Sequence, residues 1–196
     1  YGFYMKILEL TNFSAGTCGV WTRAREESVR LAEKGHEVVV FSSDITKDSG
    51  ERASRLDKVG KVKIVRFPAK KIGGESFMSW DFESSALKYN PDLIIAHSYR
   101  HNHTKTAVRV AKKLGCRVFL VTHAPFMENA KLRDFKSRWV VRFYDLFVGS
   151  RLLGKFDKVL AISKWEIPIL LRLGVRKDKI KYIPNGIPEE FFRQGK

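Results

Sequence analysis

Residues 5–41 constrain the fold more tightly than any other stretch. Met5-Lys6-Ile7-Leu8-Glu9-Leu10 is an apolar run of strand length, too short for a buried helix. A loop from Thr11 to Gly19 follows, with Ser14, Gly16 and Gly19 among its residues, types that let a backbone turn sharply. From Val20 to Lys34 the period changes to that of a helix. Val20, Ala24, Ser28, Leu31 and Ala32 fall on one face, and Arg23, Arg25, Glu26, Glu27 and Arg30 fall mostly on the other. Gly35 ends the helix and His36 to Phe41 starts a second strand. Strand, glycine loop, helix, glycine, strand is a βαβ unit. The first turn of its helix turns free N–H groups toward the loop, a site suited to an anion such as phosphate.

The same alternation continues down the chain. Residues 43–60 read as a long surface connection, with Ser42-Ser43, Asp48-Ser49-Gly50 and mixed charge. Val62, Ile64, Val65 and Phe67 mark a third strand stopped by Pro68. Gly73-Gly74 bends the chain before a helix over 76–88. Residues 91–97 are apolar on both faces, as central parallel strands are. A helix over 104–114, with Val108, Ala111 and Leu114 inward, is closed by Gly115. Arg117 to Thr122 is another buried strand, and an amphipathic helix or helix pair covers 129–153. Strand 158–162, helix 164–173 closed by Gly174, and short strand 179–183 complete the series. Alternating elements of this kind make an α/β domain with a mainly parallel sheet wrapped on both faces. A length of 196 residues fits one such domain, spanning 1–196.

Composition narrows the function classes. The formal charge of +16 favours anionic partners, whether nucleic acid, anionic lipid or phosphate-bearing substrates. It fits equally a Lys-rich surface of thermophile type, since a single Gln stands among many Lys, Arg and Glu. Cys18 and Cys116 lie far apart and match no metal spacing, which reads as reduced thiols in a cytoplasmic protein. No apolar run approaches the roughly 18 to 20 residues that span a bilayer.

In open parallel sheets, ligands sit beyond the carboxyl ends of the strands. That rule gathers Gly16 and Gly19 after the first strand, His97 and Ser98 after the fourth, Thr122 and His123 after the fifth, and Ser163 after the sixth.

These segments carry a family resemblance. Cys18-Gly19, then fifteen residues, then Gly35-His36-Glu37-Val38-Val39-Val40 resembles the opening of the retaining glycosyltransferases called group 1 or family 4. The likeness continues through 91–98, Val121-Thr122-His123, 158–163 and Leu173-Gly174-Val175. It ends with Lys179-Ile180 and Ile183-Pro184-Asn185-Gly186-Ile187. The resemblance implies a Rossmann-like, three-layer α/β/α domain forming one half of a GT-B fold. That half is the N-terminal one, which binds mainly the acceptor; the second half holds the nucleotide-sugar donor and a pair of glutamates. The donor motifs are absent here, so an isolated domain or a separate partner subunit is expected. The implied partners are a nucleotide-sugar and a sugar, lipid or small-molecule acceptor, and no cofactor is expected.

Residue by residue, His123 matches the histidine that lies near the sugar in the closed cleft. The resemblance gives it a catalytic role in orienting or stabilising the reacting sugar, not as a nucleophile. Gly19 matches the second glycine of a Gly-Gly loop that approaches donor phosphates or acceptor, with Gly16 and Thr17 beside it. Cys18 stands where the first glycine would be, and its side chain limits the backbone's approach to a ligand. His97, Ser98 and Arg100 are candidate acceptor contacts.

Other readings of the same residues exist. The glycine loop lacks G-x-G-x-x-G and a following Gly-Lys-Ser/Thr, which disfavours a nicotinamide site and a Walker loop. His97, His101 and His103 suggest a metal, but no carboxylate or cysteine accompanies them, so none is expected; His101 and His103 should start a helix in solvent. In 131–155, Phe135, Trp139, Phe143, Leu146, Phe147 and Leu153 recur at helical spacing. Lys131, Arg133, Lys136, Arg138, Arg142, Arg151 and Lys155 add charge. Such a helix can pack on a core with a basic outer face, or lie on the anionic inner face of a membrane as a peripheral protein does. A basic nucleic-acid- or lipid-binding module without catalysis is the rival function. No helix-turn-helix, zinc-finger or RNA-stacking pattern supports nucleic acid.

Overall fold

The computed structural model describes residues 4–71, 74–124 and 135–186, side chains of 135–138 and 140 excepted. Its centre is the expected βαβ unit: β1 (Lys6–Leu10), α1 (Gly19–Glu33) and β2 (Glu37–Ser43). The chain continues through β3 (Leu56–Val59), β4 (Val62–Phe67), β5 (Ala69–Lys70), β6 (Ser79–Trp80), α2 (Glu83–Tyr89), β7 (Leu93–His97) and α3 (Asn102–Leu114). It then forms β8 (Arg117–Val121), α4 (Phe135–Tyr144), a π-helical turn (Asp145–Gly149), α5 (Ser150–Leu153), β9 (Lys158–Ala161), α6 (Glu166–Arg172) and β10 (Ile180–Tyr182).

Eight strands form one sheet in the order β10-β9-β8-β7-β1-β2-β4-β3, every pairing parallel except β3 with β4. The chain winds outward from β1 in both directions, so the order reverses between β1 and β7. Such a switch point opens a crevice at the carboxyl ends of the two strands.

Side chains alternate across each strand, which sorts the core into two layers. Leu8, Leu10, Ile94, Ala96, Val118 and Leu120 pack under α2, α3, α5 and α6. Ile7, Val38, Val40, Leu93, Ile95 and Val121 pack on the face that α1 covers. The same parity places Glu9 with Ile7, and His97 with Leu93 and Ile95, on the α1 face. Both are fully buried.

Several sequence expectations change. Residues 43–60 are not all connection: β3 pairs with β4 across Gly60, at φ 57°, and Ile45 bridges Arg52. The helix expected over 76–88 is a 3₁₀ turn at Glu75–Phe77, then β6, then α2. Trp80 stacks on Phe67 with centroids 6.0 Å apart, and that packing overrides helix propensity. On α3 the fully buried residues are His103, Thr104, Ala107, Val110 and Ala111, with Val108 and Leu114 only partly covered. The part of the expected 129–153 helix before Phe135 lies outside the described residues, as do Gly73 and Ile187.

The helix running through α4, the π turn and α5 is pinned to the corner after β7. Tyr99 is buried and its hydroxyl donates to Asp145 at 3.0 Å. A Cβ at Gly149 would lie 1.8 Å from that hydroxyl, so only glycine leaves room for it. Arg100 adds an ion pair to Asp145 through Nε at 2.8 Å.

Candidate functional site

Three parallel strands end together beside the switch point and deliver the site. Glu9 from β1 and His97 from β7 meet beneath α1, with Glu9 Oε2 2.7 Å from His97 Nε2. His97 Nδ1 lies 2.9 Å from Nε2 of His123, one residue past Thr122 at the end of β8. Their rings sit 5.2 Å apart at centroid. His103 donates from Nε2 to the His97 carbonyl at 2.7 Å, fixing both the corner and its own tautomer. The expectation that His103 starts a helix in solvent is thus corrected. α3 begins at Asn102, which turns His103 inward.

The corners are conformationally costly. Ser98, Arg100, His123 and Ala124 all have φ between 51° and 74°, a region that costs non-glycine residues roughly 1 kcal/mol or more each. Asn90, at a helix C-cap, is the one other non-glycine residue of this kind among those described. Strained backbone therefore concentrates at the ends of β7 and β8, where hydrogen bonds hold it. Ser98 N donates to Val121 O at 2.9 Å, and Thr122 N to Leu160 O at 3.1 Å.

Glu166 ties the next strand end into the same edge. Its buried carboxylate accepts from Ile162 N and Ser163 N, both at 2.9 Å, and from the Ser163 hydroxyl at 3.0 Å, and it bonds the Thr122 hydroxyl with its second oxygen. This is the carboxylate half of a capping box, with the Ser163 hydroxyl donating to Glu166 and not accepting from the helix, and it also steadies the residue before His123. The Ser163-x-x-Glu166 spacing was the sequence signal for it.

Electrostatics follow from burial. Burial pushes the Glu9 carboxyl well above the ordinary carboxylate range, with Arg23 opposing. It raises Glu27 too, a shift that the neighbouring Glu9 adds to. Burial lowers His97 to about 4 and His101 to about 4. Burial, then the fields of His97 and Arg23, lowers His123 to about 2. The imidazoles are therefore neutral at physiological pH and act as hydrogen-bonding groups, not as cations.

Arg23 and Glu27 belong to this cluster, although helical periodicity put them mostly on the outer face of α1. Both are largely covered, 3.5 Å apart, and Arg23 also bonds Asn185 Oδ1 at 2.8 Å and the Ile183 carbonyl at 3.2 Å. Glu9, Glu27 and His97 each bring one ligand atom to within 4.8 Å of the others, the spacing of a metal triad. The sequence reading that no carboxylate accompanies these histidines thus fails for His97. Arg23 nonetheless supplies a positive charge inside the cluster and already pairs with Glu27, which disfavours a second cation there.

The glycine loop lies at the same edge of the sheet. Gly16 adopts φ 81°, and a Cβ there would meet Lys47 N at 2.9 Å. Gly19 opens α1 with no atom within 4 Å of a would-be Cβ, and no side chain caps that helix. Thr17 N donates to Asp48 at 2.8 Å, so a carboxylate already occupies part of the anion site. Ser14 is no flexible turn residue: it is buried and accepts from Arg66 Nε at 2.7 Å. Arg100 is committed to Asp145, so an acceptor would have to share it.

A groove of about 530 Å³ takes in Gly19, Arg23, Glu27, Arg30 and the 183–186 segment. Its lining does not include His97 or His123. Of the candidate residues, Gly19 lines this groove, while His97, Ser98, Arg100 and His123 lie at the same edge of the sheet outside its lining.

A model of Glycosyltransferase Family 4 matches residues 17–191. Similar solved structures include the Anabaena protein HepE in complex with UDP-glucose, 16% identical with a TM-score of 0.60, covering 96% of this chain and 46% of that one. Sucrose-phosphate synthase from Thermosynechococcus elongatus is 16% identical with a TM-score of 0.62, covering 95% and 92%. An α-glucosyltransferase in complex with UDP-glucose and DNA containing an abasic site is 15% identical with a TM-score of 0.52, covering 98% and 46%. At these identities the likeness is one of fold. The chain spans about half the length of HepE and of the α-glucosyltransferase.

Proposed function

The chain belongs to glycosyltransferase family 4, and we propose on that footing that it is the acceptor-side half of a retaining GT-B enzyme. That enzyme transfers a sugar from a nucleotide-sugar to an acceptor. The observation that carries the reading is the meeting of Glu9, His97 and His123 at the β1/β7 switch point, where a ligand crevice belongs. HepE and the α-glucosyltransferase are described with UDP-glucose, which supports a nucleotide-sugar as this protein's donor.

In such a transfer the bond from the sugar to the nucleotide diphosphate breaks, and charge grows on the departing phosphate. Groups aimed at that charge lower the barrier. On this side of the cleft, the uncapped N-terminus of α1 at Gly19 is the group suited to it. His123 is neutral, partly exposed and locked by His97, so its role is to orient a sugar hydroxyl. The test uses the full-length enzyme with UDP-glucose as donor probe. His123→Ala is expected to lower kcat/KM on the order of 100-fold, about 2.7 kcal/mol of transition-state stabilisation, with the fold unchanged. Undiminished turnover would overturn the assignment.

A second proposal, that the domain meets an anionic membrane to reach a lipid-linked acceptor, is favoured by the outer helix. Trp139, Phe143, Leu146 and Phe147 are about half exposed along one stripe, Phe143 stacks on Phe147 at 6.0 Å, and the exposed Arg142 and Arg151 flank them. No helix among the described residues is long and apolar enough to cross a membrane.

A further inference from the structure

Hydrogen bonds run without a break from the interior of the sheet to its edge: Glu9 Oε2 to His97 Nε2 at 2.7 Å, then His97 Nδ1 to His123 Nε2 at 2.9 Å. His97 uses both ring nitrogens. Among the described residues, the hydrogen bond of the His123 ring is the one its Nε2 shares with His97, and the ring is partly exposed, which leaves Nδ1 for a ligand. Glu9 Oε1 is buried with no partner among them.

Counting protons leaves two complete arrangements with neutral rings. In the first, Glu9 is a carboxylate. His97 donates to it from Nε2–H, His123 donates from Nε2–H to His97 Nδ1, and His123 Nδ1 is a bare acceptor. In the second, Glu9 is a carboxylic acid. Its O–H donates to His97 Nε2, His97 donates from Nδ1–H to His123 Nε2, and His123 Nδ1–H is a donor. The two differ by one proton. It enters at His123 Nδ1, His123 passes its Nε2 proton to His97 Nδ1, and His97 passes its own Nε2 proton to Glu9.

We propose that Glu9 is a positioning residue and proton store for His123, setting through His97 whether His123 meets a ligand as acceptor or donor. The idea rests on the reading that His123 faces the reacting sugar. An acceptor His123 suits a sugar hydroxyl; a donor His123 suits a phosphate oxygen. The surroundings support a relay over a charged pair. Burial drives both rings away from the imidazolium form and drives Glu9 toward the acid. The other groups facing the chain are Arg23 and Glu27 from α1, His101 just before α3 and His103 within it. Arg23 favours ionised Glu9 and Glu27 opposes it, so the cluster titrates as a coupled unit.

The test needs no sugar, so its failure and that of the glycosyltransferase reading are distinguishable. Two-bond ¹H–¹⁵N spectra of the histidine rings, recorded on the full chain from pH 4 to 9, report which nitrogen carries each proton. The expected result is a tautomer exchange of His97 and His123 with one shared midpoint, above the ordinary carboxylate range, matched by the Glu9 carboxyl ¹³C signal. Glu9→Gln, neutral and isosteric, should abolish that midpoint and hold both rings in one tautomer. Separate midpoints for Glu9 and the rings in the unsubstituted protein would overturn the proposal. So would pH-independent tautomers, or rings that titrate to imidazolium near their ordinary value of about 6.5. The unsubstituted protein decides the matter even where Glu9→Gln does not fold.

Discussion

Glu166 holds three segments with one buried carboxylate, and its loss has a calculable size. Glu166→Ala strands the half-buried Ile162 N and Ser163 N, from both of which the carboxylate accepts at 2.9 Å. It also removes the partner of the Thr122 hydroxyl, which keeps only its longer bond to the Leu160 carbonyl at 3.2 Å. An orphaned buried donor costs about 1–3 kcal/mol, so two backbone N–H groups lose about 2–6, and partial access of water favours the middle of that span. We expect a loss of about 4 kcal/mol, a large share of the roughly 5–15 kcal/mol that stabilises an ordinary domain. Glu166→Gln keeps an oxygen toward the two N–H groups and turns its NH₂ to the Thr122 hydroxyl, which can accept. It should cost only about 1 kcal/mol. Urea unfolding read from the midpoint at constant slope measures both variants. A Glu166→Ala protein within 1 kcal/mol of the parent, or a Gln variant as damaged as the Ala variant, would refute the reasoning.

Two further outcomes follow from groups described above. Acidification should destabilise the fold: the folded protein holds His97 at about 4 against an ordinary 6.5, so it binds fewer protons than the unfolded chain in that window. Up to about 3 kcal/mol present above pH 6.5 should drain away as pH falls toward 4, while the raised Glu9 works in the opposite sense and loses its contribution as pH rises. Chemical denaturation at several pH values, flat from 7 to 4 in contradiction, decides it. The exposed stripe should make the protein co-sediment with anionic phosphatidylglycerol-containing vesicles at low salt. Phe143→Ser with Phe147→Ser should cut that binding several-fold without unfolding, and an unsubstituted protein that stays in the supernatant would end the idea.

The sheet was legible in the sequence because its strands are short apolar runs between helices with clear stops. β1, β2, β7, β8 and β9 each fall within a residue or two of the stretches read for them. β3 was hidden because Leu56, Asp57 and Lys58 are exposed on an edge and carry no alternation. The family and the carboxyl-end edge were also legible. What escaped was tertiary. Glu9 looked like an ordinary polar residue in a strand, and only the switch point brings it to His97. Arg23 and Glu27 sit on the flank of α1, where helical spacing alone cannot tell solvent from a buried carboxylate. His103 was misplaced by taking α3 to begin at residue 104 and not 102.

The phenol of Tyr99 seated over Gly149 leaves no slack between the outer helix and the corner after β7. The residues on either side of Tyr99, Ser98 and Arg100, already hold left-handed backbone at φ 74° and 70°. A shift of the outer helix would therefore be felt first at the turn that carries Ser98, one residue from His97.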